Sequence, residues 1–178
     1  MFLDGLEDAY EEGRAMGSFA QATANDYQLT RQSMDDYAIE SLSRAKSAID
    51  NGGFKDEIVA VSVKSRAGET LVDTDEAPGR GRPDKIPLLK PAFDNEGTIT
   101  AATSSSISDG AAAVVLARES EARAKGLAPV ARIVATAAHA QAPAEFTIAP
   151  IGAIHKVLDK AGWSIDDVDL FEVNEAFA

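Results

Sequence analysis

Apolar positions at helical spacing mark three stretches of the chain. From Ser18 to Tyr27 the sequence is rich in Ala, with Phe19, Ala20 and Ala24 on one stripe and Ser18 placed to cap the first turn, which predicts a short helix. A longer helix follows. Thr30 caps it, Met34, Tyr37, Ala38, Leu42, Ala45 and Ile49 form its apolar stripe, Asp35, Asp36, Glu40, Arg44 and Lys46 its polar face, and Gly52-Gly53 its left-handed stop. The third begins at Pro150, has Ile151, Ile154, Val157, Leu158 and Ala161 as its apolar stripe, and ends at Gly162.

The pattern changes to that of strands between and after these helices. Glu57 to Lys64 is dense in β-branched residues and Thr70 to Asp73 resembles it; with Ser65-Arg66-Ala67-Gly68 between, the two predict a β-hairpin. Thr98 to Ala102 reads as extended and Thr103 to Ser108 as a hydroxyl-rich turn. Ala111 to Ala117 suits a buried strand, Ser120 to Lys125 a short helix ending at Gly126, and Val130 to Ala138 and Val168 to Val173 two more strands. Strand, helix, strand in the last third implies right-handed crossovers and a parallel sheet packed by helices, an α/β fold. Asp75 to Pro91, with Pro78, Pro83, Pro87, Pro91, Gly79 and Gly81, predicts a long irregular loop.

Charge changes the picture at that loop. The 178 residues carry 17 Lys and Arg against 29 Asp and Glu, a net charge of −12. Such a balance disfavours a nucleic-acid backbone or an anionic membrane as partner. No apolar run approaches the about 20 residues of a membrane helix, and Met1-Phe2-Leu3 leads into acidic residues, so a cytoplasmic location is expected. Within this acidic chain the loop gathers Arg80, Arg82, Lys85 and Lys90. Either it receives a polyanionic ligand, as long loops in compact domains often do, or it is a solvated loop whose cations balance nearby carboxylates. With no cysteine, a thiol nucleophile, a disulfide and a cysteine metal site are absent from these residues, and no metal is expected.

Three blocks in order carry a resemblance. Met16-Gly17 with the helix up to Asp36-Tyr37-Ala38 is the first. Leu89-Lys90-Pro91-Ala92-Phe93-Asp94, then Gly97 to Ala102, then Ser108-Asp109-Gly110-Ala111-Ala112 is the second. Ala161 to Ala178, closing on Asn174-Glu175-Ala176-Phe177, is the third. Together they resemble the thiolases, over essentially the whole chain. The resemblance implies a partial thiolase-like fold: residues 1–107 most of a loop domain that holds coenzyme A, 108–127 the end of the N-terminal half, and 128–178 the start of the C-terminal half. It also implies Claisen condensation or thiolysis of acyl-coenzyme A, with coenzyme A and acetyl-coenzyme A as substrates rather than covalently bound cofactors, and a homo-oligomer, dimer or tetramer.

The same resemblance assigns roles. Asn174, placed directly after a strand at the carboxyl edge of a sheet, matches the asparagine that orients a water for the enolate or thioester oxyanion. Ser105 matches the serine on the pantetheine arm, and Ala101, Ile107, Phe93, Met16 and Phe177 match apolar positions along the tunnel that receives it. Arg80 and Lys85 are candidates for the nucleotide phosphates. Glu175 reads as a structural carboxylate. His139 and His155 read as structural or solvent-facing. Thiolase chemistry needs a cysteine nucleophile, a histidine that activates it and a second cysteine; the resemblance puts the first before Met1 and the others after Ala178, and the sequence reads as interrupted there. Ala15 stands where some biosynthetic thiolases carry histidine, and Thr103 where the family commonly has Asn. The opposing readings are a coenzyme A-binding module without catalysis and an assembly partner without ligand.

Overall fold

The computed structural model describes residues 5–66 and 68–178, so Met1-Phe2-Leu3 and the hairpin-turn residue Ala67 lie outside the described residues. The chain divides into two compact units. One comprises the residues up to Thr23 with Ser106–Asn174, the other Ala24–Ser105 with Glu175–Ala178.

In the second unit the main element is helix α2, Arg31–Asp50, which follows helix α1, Met16–Asp26. Thr30 keeps extended backbone angles and its Oγ1 accepts the Ser33 N–H at 3.1 Å, one of the amides a helix start otherwise leaves unpaired. At the other end Gly52 takes φ +66°, and the Gly53 N–H donates to the Ala48 carbonyl at 2.8 Å. The expected apolar stripe is only partly the buried one. Met34 is buried, but so is Asp35, placed on the polar face by its charge, whereas Tyr37 is exposed. The reason is local: Arg31 Nε binds Asp35 Oδ2 at 2.8 Å, and the paired carboxylate can be buried.

Strands β1, Val61–Ser65, and β2, Gly68–Val72, form the expected antiparallel hairpin, with Val61 opposite Val72 and Ser65 opposite Gly68. β1 begins later than the β-branched run from Glu57 suggests, and β2 begins two residues before Thr70.

The proline-rich stretch is more ordered than expected. It holds a short helix α3, Glu76–Arg80, and a 3-10 turn, Pro83–Leu88. Pro78 and Pro83 lie in the first turns of these elements, where no N–H is required, so the prolines permit what they would break further along. Gly81 is seated against α2: a Cβ there would lie 2.6 Å from the Leu42 methyls, and Lys46 Nζ reaches the Gly81 carbonyl at 3.5 Å. The Arg31 guanidinium then supplies donors to the carbonyls of Ile86 at 3.1 Å and Leu89 at 2.9 Å.

In the first unit Arg14 stacks over the buried Phe19 ring, 4.0 Å from its centroid. Helix α4, Glu119–Ala124, matches the expected short helix to within a residue. Helix α5, Ala149–Ala161, has Pro150 in its first turn and stops at Gly162, φ +69°, with the Trp163 N–H closing on the Leu158 carbonyl at 3.1 Å. The His139 ring fits against this helix because Gly152 has no side chain.

The three strands expected at Ala111–Ala117, Val130–Ala138 and Val168–Val173 do not form, and neither does a parallel sheet; among the described residues the hairpin is the one sheet. A strand exists only with a partner for its amides and carbonyls. Among the described residues these runs have no neighbouring strand, and Val115 is left 96% exposed. Lysines of α5 serve the second run instead: Lys160 Nζ donates to the Thr136 carbonyl at 2.9 Å and Lys156 Nζ to that of Ala138 at 3.4 Å. Thr98–Ala102 is likewise not extended throughout. It makes a single bridge, Thr100 with Pro91, and turns at Ala101-Ala102.

Arg31→Ala removes the partner of a carboxylate whose side chain is 3% exposed. It is expected to lower stability by about 3 kcal/mol in chemical denaturation, the scale of a broken buried pair. An unchanged midpoint would contradict the clamp.

Candidate functional site

Within the second unit, three short segments converge. The Pro91–Thr100 bridge, with the Ala92 N–H donating to the Ile99 carbonyl at 2.9 Å, folds the Phe93 loop onto the turn that follows. Thr103 locks that turn. Its Oγ1 accepts the Thr100 N–H at 2.8 Å, its own N–H donates to the Thr100 carbonyl at 3.2 Å, and Thr100 and Thr103 are both buried. Ser104 Oγ adds a bond to the same carbonyl at 2.8 Å. A hydroxyl here does for the backbone what a turn amide would.

The turn in turn holds the chain's last residues. The Ser105 N–H donates to the Ala176 carbonyl and the Ala178 N–H to the Thr103 carbonyl, each at 2.9 Å, around a single bridge of Ser104 with Phe177. Phe177 meets Phe93 edge to face, ring centroids 6.3 Å apart at 75°. Phe93, Ala101, Ser105 and Phe177 therefore belong to one small assembly of apolar surface and hydroxyls.

The remaining residues singled out in the sequence lie elsewhere. Met16 opens α1 in the first unit, its N–H donating to the Leu6 carbonyl at 2.9 Å, and Ile107 and Asn174, both exposed, also belong to that unit. Arg80 pairs with Glu76 at 2.9 Å on the surface, and Lys85 is exposed in the 3-10 turn. His155 is exposed on α5, while His139 is half-buried with Nε2 at 3.1 Å from Gln141 Oε1.

Sequence reading missed the partners of Glu175. Its carboxylate accepts the Tyr37 hydroxyl at 2.8 Å and the Ser41 hydroxyl at 2.7 Å, both from α2. The one sequence signal was the four-residue spacing of Tyr37 and Ser41, which puts two O–H groups on one helix face. The bonds from Ser41 and then Tyr37 hold the Glu175 carboxyl below its ordinary range. The same bond to Glu175, with some burial and the nearby negative charge, raises Tyr37.

Comparison with known proteins places this geometry in a family. Residues 1–120 match the thiolase N-terminal domain and residues 127–178 the thiolase C-terminal domain, so the chain belongs to the thiolase family. An acetyl-CoA acetyltransferase of Rhizobium meliloti is 46% identical over 179 residues, covering 100% of this chain and 45% of that enzyme. The solved acetyl-CoA acetyltransferase of Bacillus anthracis superposes with a TM-score of 0.91 at 40% identity, covering 97% of this chain and 44% of that one. A thiolase of Ascaris suum, solved in complex with coenzyme A, gives a TM-score of 0.88 at 40% identity over 98% of this chain and 44% of its own. The fold is thus a partial thiolase-like α/β fold, and the chain spans less than half the length of these relatives. Among the described residues no group of acidic, His or Cys side chains is arranged to hold a metal, and no helix is long and apolar enough to cross a membrane.

The Glu175 contacts predict a pH window. A lowered carboxylate contributes stability above its unfolded value of 4.5 and loses it as pH falls through the folded value; a raised tyrosine contributes below 10.0 and loses it as pH rises through the folded value. The contact is expected to be intact between these limits. In an ultraviolet titration the last tyrosine should ionise above 10.0, and Glu175→Gln should bring it down; identical titrations would contradict the contact.

Proposed function

We propose that this chain supplies the coenzyme A-binding part of a thiolase-type acetyl-CoA C-acetyltransferase, which condenses two acetyl-coenzyme A molecules or cleaves a 3-ketoacyl-coenzyme A. The observation that carries the reading is the pairing of Ala176–Ala178 with Thr103–Ser105, with Phe93 set against Phe177. A pantetheine arm is narrow and mostly apolar with two amides, and suits aromatic walls, small residues and a hydroxyl. In this reading Phe93, Ala101 and Phe177 line the arm and Ser105 bonds one of its amides. Arg80 and Lys85 meet the phosphates. The Arg80–Glu76 pair is exposed, worth at most about 1 kcal/mol, so Arg80 exchanges partners at little cost.

Asn174 is assigned to the oxyanion. As the enolate forms, negative charge gathers on the thioester oxygen, and a water oriented by the Asn174 amide is a donor aimed at that charge. The reading follows a domain map of 1–107 for the coenzyme A loop domain, 108–127 for the end of one half and 128–178 for the start of the next. With it go acyl-coenzyme A substrates, a dimeric or tetrameric assembly and a cytoplasmic setting. The other reading is a module that binds coenzyme A without catalysis.

Calorimetric titration of coenzyme A into the chain tests the binding, with saturable uptake expected and Ser105→Val weakening it several-fold, about 1 kcal/mol for one hydrogen bond. No saturable uptake would refute both readings. Catalysis separates them: with the matching segments of a thiolase relative joined to this chain, acetoacetyl-coenzyme A thiolysis is expected, and Asn174→Ala should cut kcat about a hundredfold. Uptake without thiolysis in that chimera would leave the binding module.

A further inference from the structure

The segment Glu175–Ala178 is held to its turn by two backbone hydrogen bonds and one bridge. So short a pairing specifies its register weakly, and a one-residue slip would turn every side chain to the opposite face, carrying Phe177 away from Phe93. Some further contact must select the observed register. Glu175 provides it: the carboxylate takes one hydroxyl on each oxygen, Tyr37 on Oε1 and Ser41 on Oε2. Both donors stand one turn apart on α2, a helix fixed at its start by Thr30 and Arg31. A slip by one residue would break both bonds together. The lowered carboxyl of Glu175 agrees with an acceptor that uses both oxygens.

We propose that Glu175 is a positioning residue for coenzyme A, whose two-hydroxyl tether to α2 sets the register of Ala176–Ala178 on Ser104–Ser105 and so forms the Ser105–Phe177–Phe93 wall. The ligand half of this rests on the thiolase reading above. Glu175 itself touches no reacting atom in it.

The test uses the 178-residue chain as wild type, Glu175→Ala, Glu175→Gln and the double variant Tyr37→Phe with Ser41→Ala, followed by amide hydrogen exchange and coenzyme A titration. Exchange at the Ser105 and Ala178 amides should speed up about tenfold in Glu175→Ala and in the double variant, while the amides of α2 keep their protection. The coenzyme A Kd should rise about tenfold in the same two variants, and in Glu175→Gln by only about threefold, because an amide oxygen still accepts a hydroxyl. Unchanged exchange at Ser105 and Ala178 would overturn the tether. Unchanged affinity in Glu175→Ala, with a wild type that binds, would overturn the positioning role alone. Loss of α2 protection in that variant would make Glu175 merely structural and overturn it as well. A wild type that takes up no coenzyme A defeats the thiolase reading and the ligand half together, while faster exchange would still uphold the register role.

Discussion

Helix α2 is the element on which the second unit depends, and what it supplies is donors. The 3-10 turn that ends in Leu88 contains Pro87, which contributes no N–H, and leaves carbonyls that no sheet receives. Arg31 answers several of them with one guanidinium while holding the carboxylate of Asp35. By helical periodicity Arg31, Asp35, Leu42 and Lys46 recur on one face, toward the proline-rich stretch, and Tyr37 and Ser41 on another, toward Glu175. Order then passes along the chain. The stretch fixed at Leu89 leads into the Pro91–Thr100 bridge, the bridge into the turn closed by Thr103, and the turn into its pairing with Ala176 and Ala178.

What was legible in the sequence is what local chemistry decides. Thr30, Gly52, Pro150 and Gly162 state where helices start and stop because each satisfies or omits a backbone group within its own turn. The hairpin was legible for the same reason. Asp35 was not, because its burial depends on Arg31, and a charge taken alone reads as solvated. The thiolase resemblance reached further than periodicity could, since its blocks carry long-range information that no spacing within one element contains.

The three unformed strands show the opposite limit. Ala111–Ala117, Val130–Ala138 and Val168–Val173 have the composition of buried strands. A strand, however, is a property of two segments. Where the partner is missing the same residues remain exposed, as Val114, Val130 and Leu170 do, and lysine side chains from α5 take over part of the hydrogen bonding a neighbouring strand would supply.

The contrast explains why the Asn-Glu-Ala-Phe segment is ordered where the strand sequence before it is not. Val168–Val173 needs a full ladder and has none, whereas Glu175–Ala178 needs few partners and finds each of them: two hydroxyls for its carboxylate, one N–H for the Ala176 carbonyl, one carbonyl for the Ala178 amide and one ring for Phe177. Each is weak alone, and the Glu175 contacts are exposed, so none would hold the segment by itself. They act together because all their partners belong to one turn, one loop and one helix that are already fixed. Thr103 is the joint of that arrangement: its side chain closes the turn while its carbonyl receives Ala178, so one residue gives the backbone a side-chain oxygen where the turn requires it and anchors the segment as well.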